Sequence, residues 1–280
     1  MLGAVLGDII GSPYEFDENN IKTTEFPLFS RRSSFTDDSV MTLAVAQALM
    51  DSWGQNDEAV SAALVRRMQQ LGRAYPGAGY GGRFAGWLTQ KQPRPYHSYG
   101  NGSAMRVSAA GWLYRTLEDT LHAAALTAAV THDHPEGIKG AQATAAAIFF
   151  ARAGADRPAV RAWLQRTFGY DMHRTLDEIR PHYYMDESCQ GTVPQALTAY
   201  FEGDSYERTV RLAVSIGGDS DTIACIAGGP AEACFGLPEE LKAQALERLD
   251  EPLRRIAEAY EAFCAAHSGP PLDGWQQALT

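Results

Sequence analysis

Apolar and polar positions along the chain recur with helical spacing, and no stretch shows the alternation of a half-buried strand. The first run, Gly3 to Ser12, puts Gly3, Gly7 and Gly11 at i, i+4 and i+8, on one helix face that lets a second helix come close. Pro13-Tyr14-Glu15 ends it. Residues 16 to 35 are polar and irregular, a loop of the length that usually carries function or is disordered. Val40 to Met50 is a strong helical run, and Asn56 with Asp57 and Glu58 starts a helix expected to reach about Leu71. Tyr75 to Trp87 is Gly-rich and aromatic, and Pro93 to Ser103 is too rich in breakers to be regular.

Helices are expected again over Ala104–Arg115 and Leu117–Val130. Pro135 stands at the first position of a helix through Ala153. Pro158 opens one through Arg166, Pro194 one through Glu202, and Asp204-Ser205 caps one ending near Ile216. Ile223 to Ala233 reads as a buried helix rich in Ala and Gly, and Pro238 opens two last helices broken near Asp250-Glu251-Pro252. The pattern predicts one all-α domain over residues 1–280, with roughly a dozen helices.

With 280 residues, 45% of them hydrophobic, the chain can build a packed core that buries roughly 75% of its unfolded surface. The net charge is −10 and no Lys/Arg cluster is present, so a nucleic-acid duplex is not an expected partner. The four cysteines show no metal-ligand spacing and read as reduced thiols. Met1 to Gly11 lacks a basic leader and contains Asp8, and no apolar run is long enough to span a bilayer. A cytoplasmic monomer is the expectation.

Chemistry concentrates at two helix starts. In Gly217-Gly218-Asp219-Ser220-Asp221-Thr222 the glycines suit a tight turn, and Asp219, Asp221 and Thr222 follow it. Such residues also serve as N-caps, but a cap needs only one of them. Thr36-Asp37-Asp38-Ser39 is a second start of the same kind. If the two meet, each carboxylate pair at about 4 Å costs about 4 kcal/mol at an effective dielectric of about 20, which calls for cations. Oxygen-only donors select Mg²⁺, Mn²⁺ or Ca²⁺ over zinc, and four carboxylates with two Thr hydroxyls overfill one Mg²⁺ octahedron. Ser98-Tyr99-Gly100-Asn101-Gly102-Ser103 offers hydroxyls, a carboxamide and N–H groups suited to an anion, or is an ordinary Gly-rich loop. Thr131-His132-Asp133-His134 lies at another junction, without the third soft ligand that zinc requires.

The order of Gly7-Asp8, Gly11-Ser12 and Glu15, then Thr36-Asp37-Asp38, Gly100-Asn101-Gly102-Ser103-Ala104-Met105-Arg106, Thr131-His132, Gly191-Thr192-Val193-Pro194 and Gly217 to Thr222 resembles the ADP-ribosylglycohydrolase family over about residues 3–236. The resemblance implies a compact orthogonal multi-helix fold with a binuclear Mg²⁺ or Mn²⁺ centre. Such a centre cleaves the bond between C1″ of the distal ribose and a modified protein side chain or small acceptor, releasing ADP-ribose. It implies Thr36, Asp37, Asp38, Asp219, Asp221 and Thr222 as metal ligands. Ser98, Tyr99, Gly100, Asn101 and Gly102 would hold the diphosphate and distal ribose, and His132 a phosphate. Glu15 would lie on a flexible loop over the metals and handle the proton, with Asp38 in reserve. Tyr75, Tyr80, Phe84 and Tyr96 all qualify to cover the adenine. A non-catalytic ADP-ribose binder, or a metallohydrolase of nucleotide-sugar phosphates, would carry the same ligands.

Overall fold

In the computed structural model, residues 1–272 and 274–280 are described. Among these residues sixteen α-helices form, in order α1 (Leu2–Gly11), α2 (Asp37–Asp51), α3 (Asp57–Ala74), α4 (Gly82–Leu88), α5 (Gly102–Met105), α6 (Ser108–Leu113), α7 (Leu117–Ala129), α8 (Pro135–Arg152), α9 (Arg157–Phe168), α10 (Leu176–Ile179), α11 (Cys189–Glu202), α12 (Tyr206–Ser215), α13 (Ser220–Phe235), α14 (Glu239–Arg248), α15 (Glu251–His267) and α16 (Gln276–Leu279). No strand occurs among the described residues; the single bridge pairs Gly100 with Ser188. The fold is all-α. No helix among the described residues is long and apolar enough to cross a membrane.

Helix α13 is the axis. It packs against α1, α8, α11 and α12, and every residue from Ser220 to Ala231 is buried. A helix apolar on all sides belongs inside a protein. The glycine face of α1 makes this packing possible. A Cβ on Gly7 would lie 2.2 Å from the carbonyl oxygen of Ala224, and one on Gly11 would lie 2.5 Å from Cα of Asp221. Bare backbone on α1 therefore lets the two helices touch, and Asp8 is carried to the start of α13.

Several elements differ from the hydrophobic pattern, among them the unexpected short helices α10 and α16. Helix α11 starts at Cys189, before Pro194, because the Ser188 hydroxyl accepts from the Gly191 N–H (3.1 Å) and caps it there. Helix α13 starts at Ser220, a turn's length before the apolar run. The expected helix over Ala104–Arg115 divides into α5 and α6, and at the break the Arg106 guanidinium turns inward to the Thr127 carbonyl (2.9 Å). Helix α4 forms despite Gly82 and Gly86, since Phe84, Trp87 and Leu88 share one face and are buried.

Candidate active site

Asp8 is the first organiser. Its carboxylate accepts from the Thr36 N–H (2.9 Å), the Thr36 hydroxyl (2.7 Å), the Ser39 N–H (3.0 Å) and the Ser39 hydroxyl. These bonds pin the first turn of α2 to α1. Thr36 is itself the N-cap, accepting from Asp38 N–H (3.3 Å). Across the site, Gly217 and Gly218 adopt φ of 76° and 68°, the left-handed region that favours glycine, and turn the chain into α13. Asp37 and Asp38 on α2 thereby face Asp219 and Asp221.

Oxygens of Asp8, Asp38 and Asp221 all lie within 4.8 Å of one another, as do oxygens of Glu15, Asp219 and Asp221. Asp221 belongs to both groups. Asp37 lies in the same cleft outside these two groups, beneath the backbone of Gly79. The Thr222 hydroxyl donates to Asp38 Oδ2 (3.1 Å), whereas Asp38 Oδ1 is buried without a partner. Among the described residues no Lys, Arg or His lies within 4.0 Å of these six carboxylates.

The electrostatic consequence is severe. Burial, then the neighbouring carboxylates, pushes Glu15 up to about 7 and Asp37 up to about 8. Burial raises Asp8 to about 6, against the hydrogen bonds of Ser39 and Thr36. Asp38 and Asp221 are raised well above the carboxylate range by burial and by Asp8 and Asp219 respectively, and Asp219 is raised by burial. An orphaned buried carboxylate oxygen in an all-oxygen cluster without a basic partner fits hard divalent cations.

The carboxylates floor a cleft of about 290 Å³ whose wall carries Ser98, Gly100, Asn101, Gly102 and His132. The Ser98 loop is braced by a segment the hydrophobic pattern left unassigned: Asn101 N–H donates to the Glu187 carbonyl (2.7 Å) and Cys189 N–H to the Tyr99 carbonyl (2.9 Å). Gly100 N–H is taken by the Ser98 hydroxyl (3.2 Å). Asn101 faces the acid floor, since its amide donates to Asp219 (2.6 Å) and Thr192 (3.0 Å). The N–H groups of Gly100 and Asn101 are thus engaged within the protein, unlike the expectation for this loop. The Tyr99 ring lies outside the cleft lining, half exposed against His134.

His132 is set by a relay. Arg106, which has only donors, donates a hydrogen bond to the Thr131 hydroxyl (2.8 Å), and that hydroxyl pairs with His132 Nδ1 (2.7 Å). Burial, then Arg106 and Arg83, lowers the His132 pKa well below its usual value. The lowered pKa favours the neutral ring, and Nε2 lies beside Gly100 and Gly102. Of the aromatic candidates, Phe84 and Tyr96 line the cleft. Tyr75 bonds Asp250 instead (2.8 Å), and Tyr80 lies outside the lining. A more open groove of about 920 Å³ near Val65, Arg66 and Pro93 holds no carboxylate, so the chemistry resides in the smaller cleft.

The family profile for ADP-ribosylglycohydrolase matches residues 1–269. The chain belongs to the ADP-ribosylglycohydrolase family. It is similar to ADP-ribosylhydrolase ARH3 of Mus musculus, 26% identical over 316 residues that cover 85% of this chain and 83% of that protein. It is also similar to ADP-ribosylarginine hydrolase Tri1 of Pseudomonas putida, 28% identical over 266 residues covering 85% and 70%. A solved structure titled as an ADP-ribosylglycohydrolase-related protein complex superposes with a TM-score of 0.64 at 25% identity, covering 94% of this chain and 97% of that one.

For this family member, reading the sequence missed Asp8 as part of the acid cluster, although Gly7-Asp8 stood in the motif order. Arg106 was likewise a motif residue without a role; it is 1% exposed, and its Nε lacks a partner. Glu187 carried no signal at all, because its place at the cleft comes from the backbone pairing with the Ser98 loop. Phe16 and His97 are non-glycine residues with positive φ (66° and 55°), and they adjoin Glu15 and Ser98. Strain of this kind clusters at functional sites.

Proposed function

We propose that the protein, acting as one domain, hydrolyses the N- or O-glycosidic bond at C1″ of ADP-ribose conjugates and releases ADP-ribose, with two Mg²⁺ or Mn²⁺ ions. The observation that carries this reading is the pair of three-carboxylate groups sharing Asp221, on the floor of a cleft lined by the Ser98 loop and His132. Asp8, Asp38 and Asp221 would hold one cation, and Glu15, Asp219 and Asp221 the other, with Thr36, Asp37 and Thr222 completing the shells. Bound cations supply Lewis acidity at the ribose hydroxyls and the attacking water.

The chain's own groups then have distinct tasks. Loss of the leaving group builds positive charge at C1″, and the acid floor stabilises it. Glu15, which lies beyond the end of α1 and lines the cleft, would carry the proton, with Asp38 as the second candidate. In the tautomer with its proton on Nε2, His132 would be a neutral donor for a phosphate oxygen. Phe84 and Tyr96 offer faces for the adenine. The relatives named for ADP-ribosyl and ADP-ribosylarginine hydrolysis support this reaction class.

The test is a panel of arginine- and serine-linked ADP-ribosyl peptides and O-acetyl-ADP-ribose, assayed with Mg²⁺ or Mn²⁺ and after chelation. Release of intact ADP-ribose, abolished by EDTA and restored by metal, is expected. AMP or phosphate as product would transfer the protein to phosphoryl chemistry, and tight ADP-ribose binding without turnover would make it a binder.

A further inference from the structure

The loop between α1 and α2 carries a set of contacts that the proposed reaction does not use. Asn20 Nδ2 donates to the carbonyls of Tyr14 (2.7 Å) and Phe16 (2.8 Å), the two residues flanking Glu15. The same amide reaches the Gly218 carbonyl (3.1 Å), and its oxygen accepts from the Gly218 N–H (2.5 Å). Gly218 immediately precedes Asp219. One side chain thus grips the backbone on both sides of Glu15 and both polar groups of the residue before Asp219. Ser220 adds a stitch, its hydroxyl donating to the Tyr14 carbonyl (2.6 Å).

Lys22 extends the clasp. Its ammonium donates to the carbonyls of Ile216 (2.6 Å) and Tyr183 (2.7 Å), closing the exposed end of α12 where the glycine turn begins. The approach is close: a Cβ on Gly217 would lie 2.6 Å from Asn20 Oδ1 and 2.7 Å from Lys22 Nζ. An amide is suited to this place because it donates and accepts from one planar group; a carboxylate has no proton to give the carbonyls.

We propose that Asn20, supported by Lys22, is a positioning residue that sets the separation between Glu15 and the Asp219–Asp221 pair, and so governs one of two cation positions and not the other. This rests on the two-cation reading above. Asp8, Asp38 and Asp221 sit on α1, α2 and α13, and Asp8 is fixed by Thr36 and Ser39, neither of which bonds Asn20. Glu15, by contrast, lies beyond the end of α1, with Asn19 Nδ2 on its own carbonyl (3.0 Å) and the Asn20 clasp on its neighbours. Loosening Asn20 frees the Glu15–Asp219 side of the site and leaves the helix-borne side in place.

The test is Mn²⁺ titration of the chelator-stripped full chain, read as free Mn²⁺ by electron paramagnetic resonance, for wild type, Asn20→Ala, Lys22→Met and Lys22→Arg. Wild type is expected to bind two Mn²⁺. Asn20→Ala should weaken one by about tenfold or more, on the order of 1.4 kcal/mol, and leave the other within about twofold. Lys22→Met should weaken that same class less, and Lys22→Arg should recover it, since a guanidinium also donates to two carbonyls. Equal weakening of both classes, or of neither, in Asn20→Ala overturns the proposal. If Asn20→Ala does not fold, Lys22→Met and Lys22→Arg decide by the same criterion. A wild type that binds fewer than two Mn²⁺ overturns the two-cation reading itself, and this inference with it.

Discussion

Stripping divalent cations from the protein leaves six carboxylates facing one another, and the folded state then keeps protons that the unfolded chain releases. Asp37, with an ordinary value of 3.8, is pushed up to about 8 by burial and by Asp8. Asp8 goes from 3.8 to about 6 and Glu15 from 4.5 to about 7. A carboxylate whose folded value is raised makes stability fall as pH rises between the unfolded and folded values. From about pH 5.5 to about 7.5 Asp37 is ionised in the unfolded chain and protonated in the folded one, so this group alone lowers stability by about 1.4 kcal/mol per pH unit, about 3 kcal/mol over the window, and Asp38 and Asp221 act in the same direction. Glu15 adds less than its shift suggests because solvent reaches it. For a chain of this size about 3 kcal/mol is a melting-temperature drop of roughly 6–12 °C. With saturating Mg²⁺ the carboxylates are ionised in both states, so the slope should flatten and the neutral-pH midpoint should rise. Scanning calorimetry at three pH values across that range, in EDTA and in Mg²⁺, measures both. A midpoint in EDTA that is flat or rises with pH, or one that falls equally in both media, would refute the reasoning.

Three further outcomes are expected. Glu15→Gln should leave ADP-ribose affinity within a few-fold by calorimetry while turnover falls about 10²–10⁴-fold; unchanged turnover would move the proton role to Asp38. His132→Ala should weaken ADP-ribose binding by about tenfold, the worth of one hydrogen bond, and by the same factor at about pH 6 and about pH 8 because the ring is neutral at both; a loss that grows toward low pH would show a charged imidazole. Gly7→Ala should destabilise the protein by about 1–3 kcal/mol or more in chemical denaturation, because its Cβ would meet the Ala224 carbonyl at 2.2 Å and push α1, with Asp8, away from α13; an unchanged midpoint would mean the helices yield freely.

Local chemistry determined a good deal by itself. The glycine spacing of Gly3, Gly7 and Gly11 announced a close helix contact, and caps such as Asn56 and Ser205 sit where their side chains satisfy N–H groups of the next turn. The Asp-rich starts of α2 and α13 were legible because several carboxylates and hydroxyls together at a helix start are a local signature. Tertiary structure alone decided the rest. Helix α4 exists because Trp87 is buried, which outweighs the low propensity of its glycines. Asp8 joins the acid cluster only because α1 lies against α13, 213 residues later in sequence by the Asp8 and Asp221 numbers, and Glu187 reaches the cleft only through a backbone pairing. Asn101 read as a ligand for an anion, yet folding turns its amide onto Asp219, since a buried carboxylate without a basic partner takes the nearest donor. Composition and spacing report what each segment can do with its own neighbours; which buried groups must share one another's protons is set by where the helices cross.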